Sequence, residues 1–87
     1  MLHAITDEYP ILIRRSDRYD QVALERLAAL DSRPMGDGAF LLAEVHGELV
    51  AAAPLEFEGE PMSDPFRRTA GIRAWLAQQA ATLRAAA

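Results

Sequence analysis

Arginine and glutamate side chains are the groups in this chain whose type and spacing could do chemistry. Two adjacent pairs of arginines, at positions 14–15 and 67–68, could form a basic spot that binds an anion, and surface pairing with glutamates explains them equally well. Glutamates at positions 44, 48, 56, 58 and 60 form an acidic group, for which we favour a solvated face of a sheet. The two histidines, His3 and His46, lack a spaced pair of carboxylates, so they form no metal-ligand pattern.

The composition excludes several classes of function. A chain of 87 residues is expected to be one small domain, and its net charge of −4 argues against binding to nucleic acid. Because no run of about 18 apolar residues and no basic-then-apolar start is present, we expect neither a membrane span nor a signal peptide. The absence of cysteine fits the reducing cytoplasm, where we expect the protein to act.

The first half of the chain predicts a strand followed by a helix. Residues 1–8 have no clear period and are expected to form a loose arm, so the folded domain is expected to span 9–87. Alternating apolar residues predict a strand over 9–15. Asp17 and Asp20 then occupy the N-cap and third helical positions of a capping-box-like start. The helix that follows is expected to run to residue 30 or 31, where Pro34 stops it.

The second half predicts a hairpin, a short strand and a helix. Two apolar runs, 39–45 and 48–53, flank His46-Gly47, which predicts a two-residue turn. We expect the second strand to continue through 55–57 past a bulge at Pro54, a short strand at 61–63, and a helix over 69–85 with Trp75 in its packed stripe. The predicted fold is α+β, with two layers: an antiparallel meander sheet and an early and a late helix, in the order β-α-β-β-β-α.

This order and two local strings resemble the N-terminal half of the fold of the GNAT superfamily of N-acetyltransferases. Residues 11–20, ILIRRSDRYD, are similar to that family's opening strand and helix start. Residues 41–51, LLAEVHGELVA, resemble its central hairpin. The resemblance covers about residues 9–84, and a complete domain of that family continues into further strands and another helix. We therefore expect a truncated, GNAT-like domain.

The resemblance implies an acyl-CoA site where the short strand leads into the last helix. The family's motif there is R-x-x-G-x-G/A, whose glycines let backbone amides approach a pyrophosphate at the helix N-terminus. The matching residues, which would hold acetyl-CoA, are Arg68, Thr69, Ala70 and Gly71. Arg73 departs from the motif, because Gly or Ala is expected at that position. A plain helix start with Thr69 as its cap explains the same residues, and we favour that interpretation.

The resemblance also implies an acid and a base. In the family, a glutamate on a central strand can act as general base for the incoming amine. Glu44 and Glu56 are the candidate catalytic residues on that ground, with a solvated sheet face as the favoured alternative. The family's general-acid tyrosine has no counterpart, because Tyr9 and Tyr19 both lie near the N-terminus.

The sequence supports two hypotheses about function. The first is a GNAT-like domain without acyltransferase activity of its own, which acts by binding to another copy or to another protein. The second is an acyl-CoA-dependent N-acyltransferase, completed by dimerisation, with acetyl-CoA at residues 68–73. We favour the first because the motif is incomplete. A homodimer or a protein partner is expected, through the last helix or through the strand at 61–63, because an unpaired sheet edge and a small alanine-rich core favour association.

Overall fold

Strand β1 (Ile11–Arg15) begins the part of the chain that the structure, a computed structural model, describes: residues 11–86. The predicted arm at 1–8 and the first two residues of the predicted strand lie outside the described residues. After β1, Asp17 and Asp20 form the predicted capping box. The Asp17 carboxylate accepts the N–H of Tyr19, and Asp20 Oδ2 accepts the N–H of Asp17, both at 2.8 Å. A 3₁₀ turn (Arg18–Asp20) then leads into helix α1 (Gln21–Leu30).

Helix α1 ends where predicted, but Pro34 is not what ends it. Ser32 has a φ of 52°, and its N–H binds the carbonyl of Ala29 at 3.2 Å. The N–H of Arg33 binds the carbonyl of Ala28 at 3.0 Å. These two bonds are the Schellman motif, with serine in the left-handed position that glycine usually holds.

Strands β2 (Phe40–Val45), β3 (Glu48–Pro54) and β4 (Met62–Ser63) complete an antiparallel sheet in the order β1-β2-β3-β4. The predicted turn between β2 and β3 is confirmed, because His46 and Gly47 have φ values of 54° and 75°. The predicted bulge at Pro54 is wrong. The pairing shifts between Ala43–Ala51 and Glu44–Leu49, so Val50 is the extra residue, and Pro54 is the last residue of β3.

The sheet is covered on both faces, so the two-layer prediction is wrong. One cluster holds Leu24, Leu27 and Ala28 of α1 against β2, β3 and β4. The other holds Ile72, Leu76 and Ala80 of helix α2 (Ala70–Ala86) against β2 and β3. The uninterrupted apolar runs at 40–43 and 49–53 are the sequence signal for a strand that is buried on both faces. The α+β meander with an early and a late helix is confirmed.

Helix α2 buries a narrower stripe than its sequence predicts. Ile72 and Leu76 lie in the core as predicted, and Ala80 joins them with no exposed surface. Trp75 is 45 % exposed and Leu83 is 49 % exposed, so Trp75 lies at the margin of the packed stripe and its assignment to the core is wrong. The row that packs on the sheet is thus Ile72, Leu76 and Ala80, which share one core cluster with residues of β2 and β3.

Candidate functional site

The N-terminus of α2, where the residues that match the acyl-CoA motif lie, has the geometry of an ordinary helix start. Thr69 is buried and holds the N-cap position, because its carbonyl accepts the N–H of Arg73 at 2.7 Å. Ala70 and Gly71 are exposed in the first turn of α2. Arg68 is exposed too, and makes no hydrogen bond or ion pair with any residue from 11 to 86. The predicted cofactor-binding residues are therefore adjacent, but no described side chain orients Arg68 toward the helix end.

Arg73 is turned away from that helix end and toward the sheet edge. Its Nη1 donates to Ser63 Oγ at 3.0 Å, and its Nη2 donates to Glu60 Oε1 at 3.2 Å. The side chain is 27 % exposed. The arginine that breaks the acyl-CoA motif thus has a structural partner set of its own, which fastens α2 to the loop and strand at 60–63.

The edge strand β4 is capped within the chain. The N–H of Ser63 donates to Asp31 Oδ2 at 3.1 Å, and Pro61 has no N–H to offer. Asp31 directly follows α1, and its Oδ2 also lies 3.8 Å from Arg73 Nη1. The expectation that this edge presents unpaired strand groups is therefore wrong for the Ser63 amide, because the carboxylate of Asp31 takes the place of a neighbouring strand.

Glu44, the first candidate base, is held in a cluster with Arg14 and Asp20. Arg14 Nη2 lies 2.8 Å from Glu44 Oε2 and 2.6 Å from Asp20 Oδ1, and Nη1 donates to Asp20 Oδ2 at 2.9 Å. The hydrogen bonds between Arg14 and Asp20 lower the pKa of Asp20 and raise that of Arg14 itself, against the opposing effect of burial. Glu44 is thus an ion-pair partner that joins β2 to β1.

Glu56, the second candidate base, holds a loop in place. Its Oε2 accepts the backbone N–H of Ala39 at 3.2 Å, while the side chain remains 57 % exposed. Ala39 precedes β2 and Glu44 lies near the other end of that strand, five residues or about 16 Å away at ~3.3 Å per residue. The two candidate glutamates therefore do not meet in one site.

The predicted basic spot does not form, because most of its arginines face carboxylates. Arg15 lies 4.0 Å from Glu56, and Arg67 pairs with Glu48 and lies 3.6 Å from Asp64. The interpretation as ion pairing with acidic residues is confirmed for these two arginines and for Arg14. Within residues 11–86, no group of three His, Asp or Glu side chains could hold a metal ion.

No sequence pattern predicted the cleft that lies beside the start of β2 and the end of β3. It is a half-open space of about 270 Å³ between the loop after α1 and the turn after β3. Its lining is mainly apolar, with Met35, Phe40, Phe57 and Met62 contributing, and Arg33 supplies a cation. Prolines and glycines predict a loop at 32–38 and a turn at 58–60. The strand predicted over 55–57 is wrong, because β3 ends at Pro54, and no sequence pattern indicated that the two connecting segments border one cleft.

No protein-family model, no curated protein and no solved structure matches this chain. Membership of the GNAT superfamily accordingly stays a prediction from the resemblance of residues 11–20 and 41–51. Within residues 11–86, neither helix combines the length and apolar character that crossing a membrane requires.

Proposed function

We propose that this protein is a binding module that associates with a second copy of itself through the outer face of α2, and that it does not transfer acyl groups alone. One observation carries the proposal: every exposed residue of α2 is uncharged. The two arginines of the helix, Arg73 and Arg84, are only partly exposed and donate inward, Arg84 to the carbonyl of Pro54 at 2.8 Å.

The outer face of α2 combines small side chains with one large aromatic one. The exposed alanines at 70, 74, 81 and 85 allow a second helix to approach closely, and Trp75 supplies apolar area that solvent now covers. Helix α1 differs, because Glu25 and Arg26 are exposed on it. An uncharged helix surface that contains a half-exposed tryptophan fits a protein–protein interface better than a solvated face.

Sedimentation equilibrium at tens of micromolar tests the proposal. We expect a species of twice 9.6 kDa, with an interface that buries at least about 1,000 Å² in total. Ala74→Glu places a charge on the face in both copies and is expected to weaken the dimer at least about tenfold. Val22→Glu is the matched control, because Val22 is 77 % exposed on α1, and it should leave the dimer unchanged. A monomer at every concentration would refute self-association.

The alternative function is acyl-CoA-dependent N-acyl transfer with acetyl-CoA at residues 68–73. Two contacts favour binding over this chemistry: Arg14 holds Glu44, and Arg73 is engaged by Ser63 and Glu60. A calorimetric titration with acetyl-CoA separates the two functions. Low-micromolar affinity that Arg68→Ala abolishes would support the acyltransferase, whereas heats equal to those of dilution would support the binding module.

A further inference from the structure

The cleft between residues 33–36 and 54–62 has walls that are fixed by backbone shape. Phe57 and Phe40 meet edge to face, with ring centroids 6.4 Å apart. Gly36 has a φ of 76°, and a Cβ built on it would come within 2.9 Å of the Phe57 ring. A Cβ on Gly59 would come within 3.3 Å of the same ring. The ring of Phe57 therefore has its position because two glycines leave room for it, and the cleft beside it is preformed.

The cleft is lined by two charged residues, Arg33 and Glu60, and Arg33 has the larger number of hydrogen-bonding groups without a partner among residues 11–86. Its Nε lies 3.3 Å from Asp31 Oδ2, and its two Nη atoms meet no acceptor among residues 11–86. Asp31 already receives the Ser63 amide and lies near Arg73, so its charge is shared among three donors. Glu60, the acid of the cleft, is paired with Arg73. Arg33 therefore retains two parallel donors and an incompletely neutralised charge.

The direction of Arg33 is constrained at both ends of the residue. Its backbone N–H closes the Schellman motif on Ala28, and its Nε lies within ion-pair distance of Asp31. A guanidinium whose Nε side faces a carboxylate leaves Nη1 and Nη2 as a planar fork, which is the geometry that binds both oxygens of a carboxylate. An apolar cleft with one convergent charged group is the common form of a small-ligand site.

We propose that this cleft binds a small monocarboxylate with an apolar body, with the carboxylate on the Arg33 fork and the body against Met35 and Phe57, above the buried side chains of Phe40 and Met62. The volume supports a ligand of this size: about 150 Å³ holds one benzene ring, so 270 Å³ has room for a ring and a short chain. The site belongs to the α1 side of the sheet, so it is independent of association through α2.

Titration of the full-length, isotope-labelled protein with 3-phenylpropionate, followed by amide NMR, tests the proposal. The probe has about 11 non-hydrogen atoms, for which a dissociation constant in the high-micromolar to low-millimolar range is expected. Shifts should concentrate in residues 33–36 and 57–60. The neutral amide of the same probe should bind at least about tenfold more weakly, because it cannot take both donors of the fork as an anion.

Arg33→Gln should weaken 3-phenylpropionate at least about tenfold, and Arg33→Lys should weaken it by less, since lysine keeps the charge but not the fork. Arg26→Gln is the matched control, because it removes the same charge from an exposed position on α1 and should change the affinity less than about twofold. Equal binding of acid and amide, equal effects of Arg33→Gln and Arg26→Gln, or no shifts at about 10 mM probe would each overturn the assignment.

Discussion

Replacing Asp20 by asparagine measures how much the cluster around Arg14 contributes to stability. Asparagine keeps the shape and one acceptor, but the two charge-assisted bonds from Arg14, at 2.6 and 2.9 Å, lose the carboxylate's charge. A hydrogen bond to a charged group contributes about 1.5–3 kcal/mol and a neutral bond about 0.5–1.5 kcal/mol. Because asparagine has one acceptor oxygen, one bond becomes neutral and loses about 1 kcal/mol, and the other is lost with its contribution of about 2 kcal/mol. Arg14 is 34 % exposed and keeps Glu44, which reduces the expected loss from about 3 to about 2 kcal/mol.

The same substitution has a defined pH dependence. The pKa of Asp20 is lower in the folded protein than its ordinary value of 3.8, chiefly because Arg14 bonds to its carboxylate. A lowered pKa stabilises the fold fully above the ordinary value, and the contribution is lost as the pH falls through the folded value. The side-chain amide of asparagine cannot titrate in this range. The stability difference between wild type and Asp20→Asn should therefore be constant near pH 7 and should shrink below about pH 4.

Urea unfolding followed by circular dichroism, at pH 7 and at pH 3, gives both quantities. Asp37→Asn is the matched control, because Asp37 is exposed in a loop and should change stability by less than about 0.5 kcal/mol at either pH. A difference between wild type and Asp20→Asn that stays the same at both pH values would refute the assignment of the effect to ionisation of Asp20.

Two further predictions concern residues with positive φ. Gly36→Ala should destabilise the fold by more than Gly47→Ala. Both substitutions strain the backbone by about 1–2 kcal/mol. Only the Cβ at position 36 meets the ring of Phe57, whereas nothing lies within 4 Å of a Cβ at position 47. Equal losses in urea unfolding would contradict the packing of Phe57 against the loop. Ser32→Gly should stabilise α1 by up to about 1 kcal/mol, because glycine adopts the left-handed C′ position without a Cβ penalty; a lower melting temperature would show that the serine side chain contributes there.

The fold was predictable from the sequence where each local signal has a single structural cause. Two signals determine the local structure around them: Asp17 and Asp20 at capping spacing, and His46-Gly47 between apolar runs. Both predictions are confirmed. The layering was not predictable in the same way. A run such as residues 49–53 fits a strand buried on one face or on both, and only the placement of α1 and α2 on opposite sides decides between them.

The candidate site was less predictable, because side-chain partners come from distant parts of the chain. In the sequence, Arg73 is only a departure from the acyl-CoA motif, yet its partners in the structure are Ser63 and Glu60, ten and thirteen residues earlier. Arg33 stands alone in a loop sequence, with no neighbouring residue that indicates a site. Its cleft depends on Phe57, which reaches it from the turn after β3 and is fitted against Gly36. No short motif encodes a contact between residues that lie this far apart in the sequence.

The partners of the arginines also decide which of them can recognise an anion specifically. Specific recognition needs a cation that is both free to bind and held in one direction, since an unheld side chain loses conformational entropy when it binds. Arg68 has no partner among residues 11–86, so no described residue holds it in one direction. Arg73 is directed, but both of its Nη atoms are occupied. Arg33 alone of these three has its Nε side facing a carboxylate and both Nη atoms without an acceptor among residues 11–86, beside an apolar cleft. An anion that binds this protein with measurable specificity is therefore expected at Arg33, and Arg33→Gln should abolish that binding while Arg68→Gln leaves it intact.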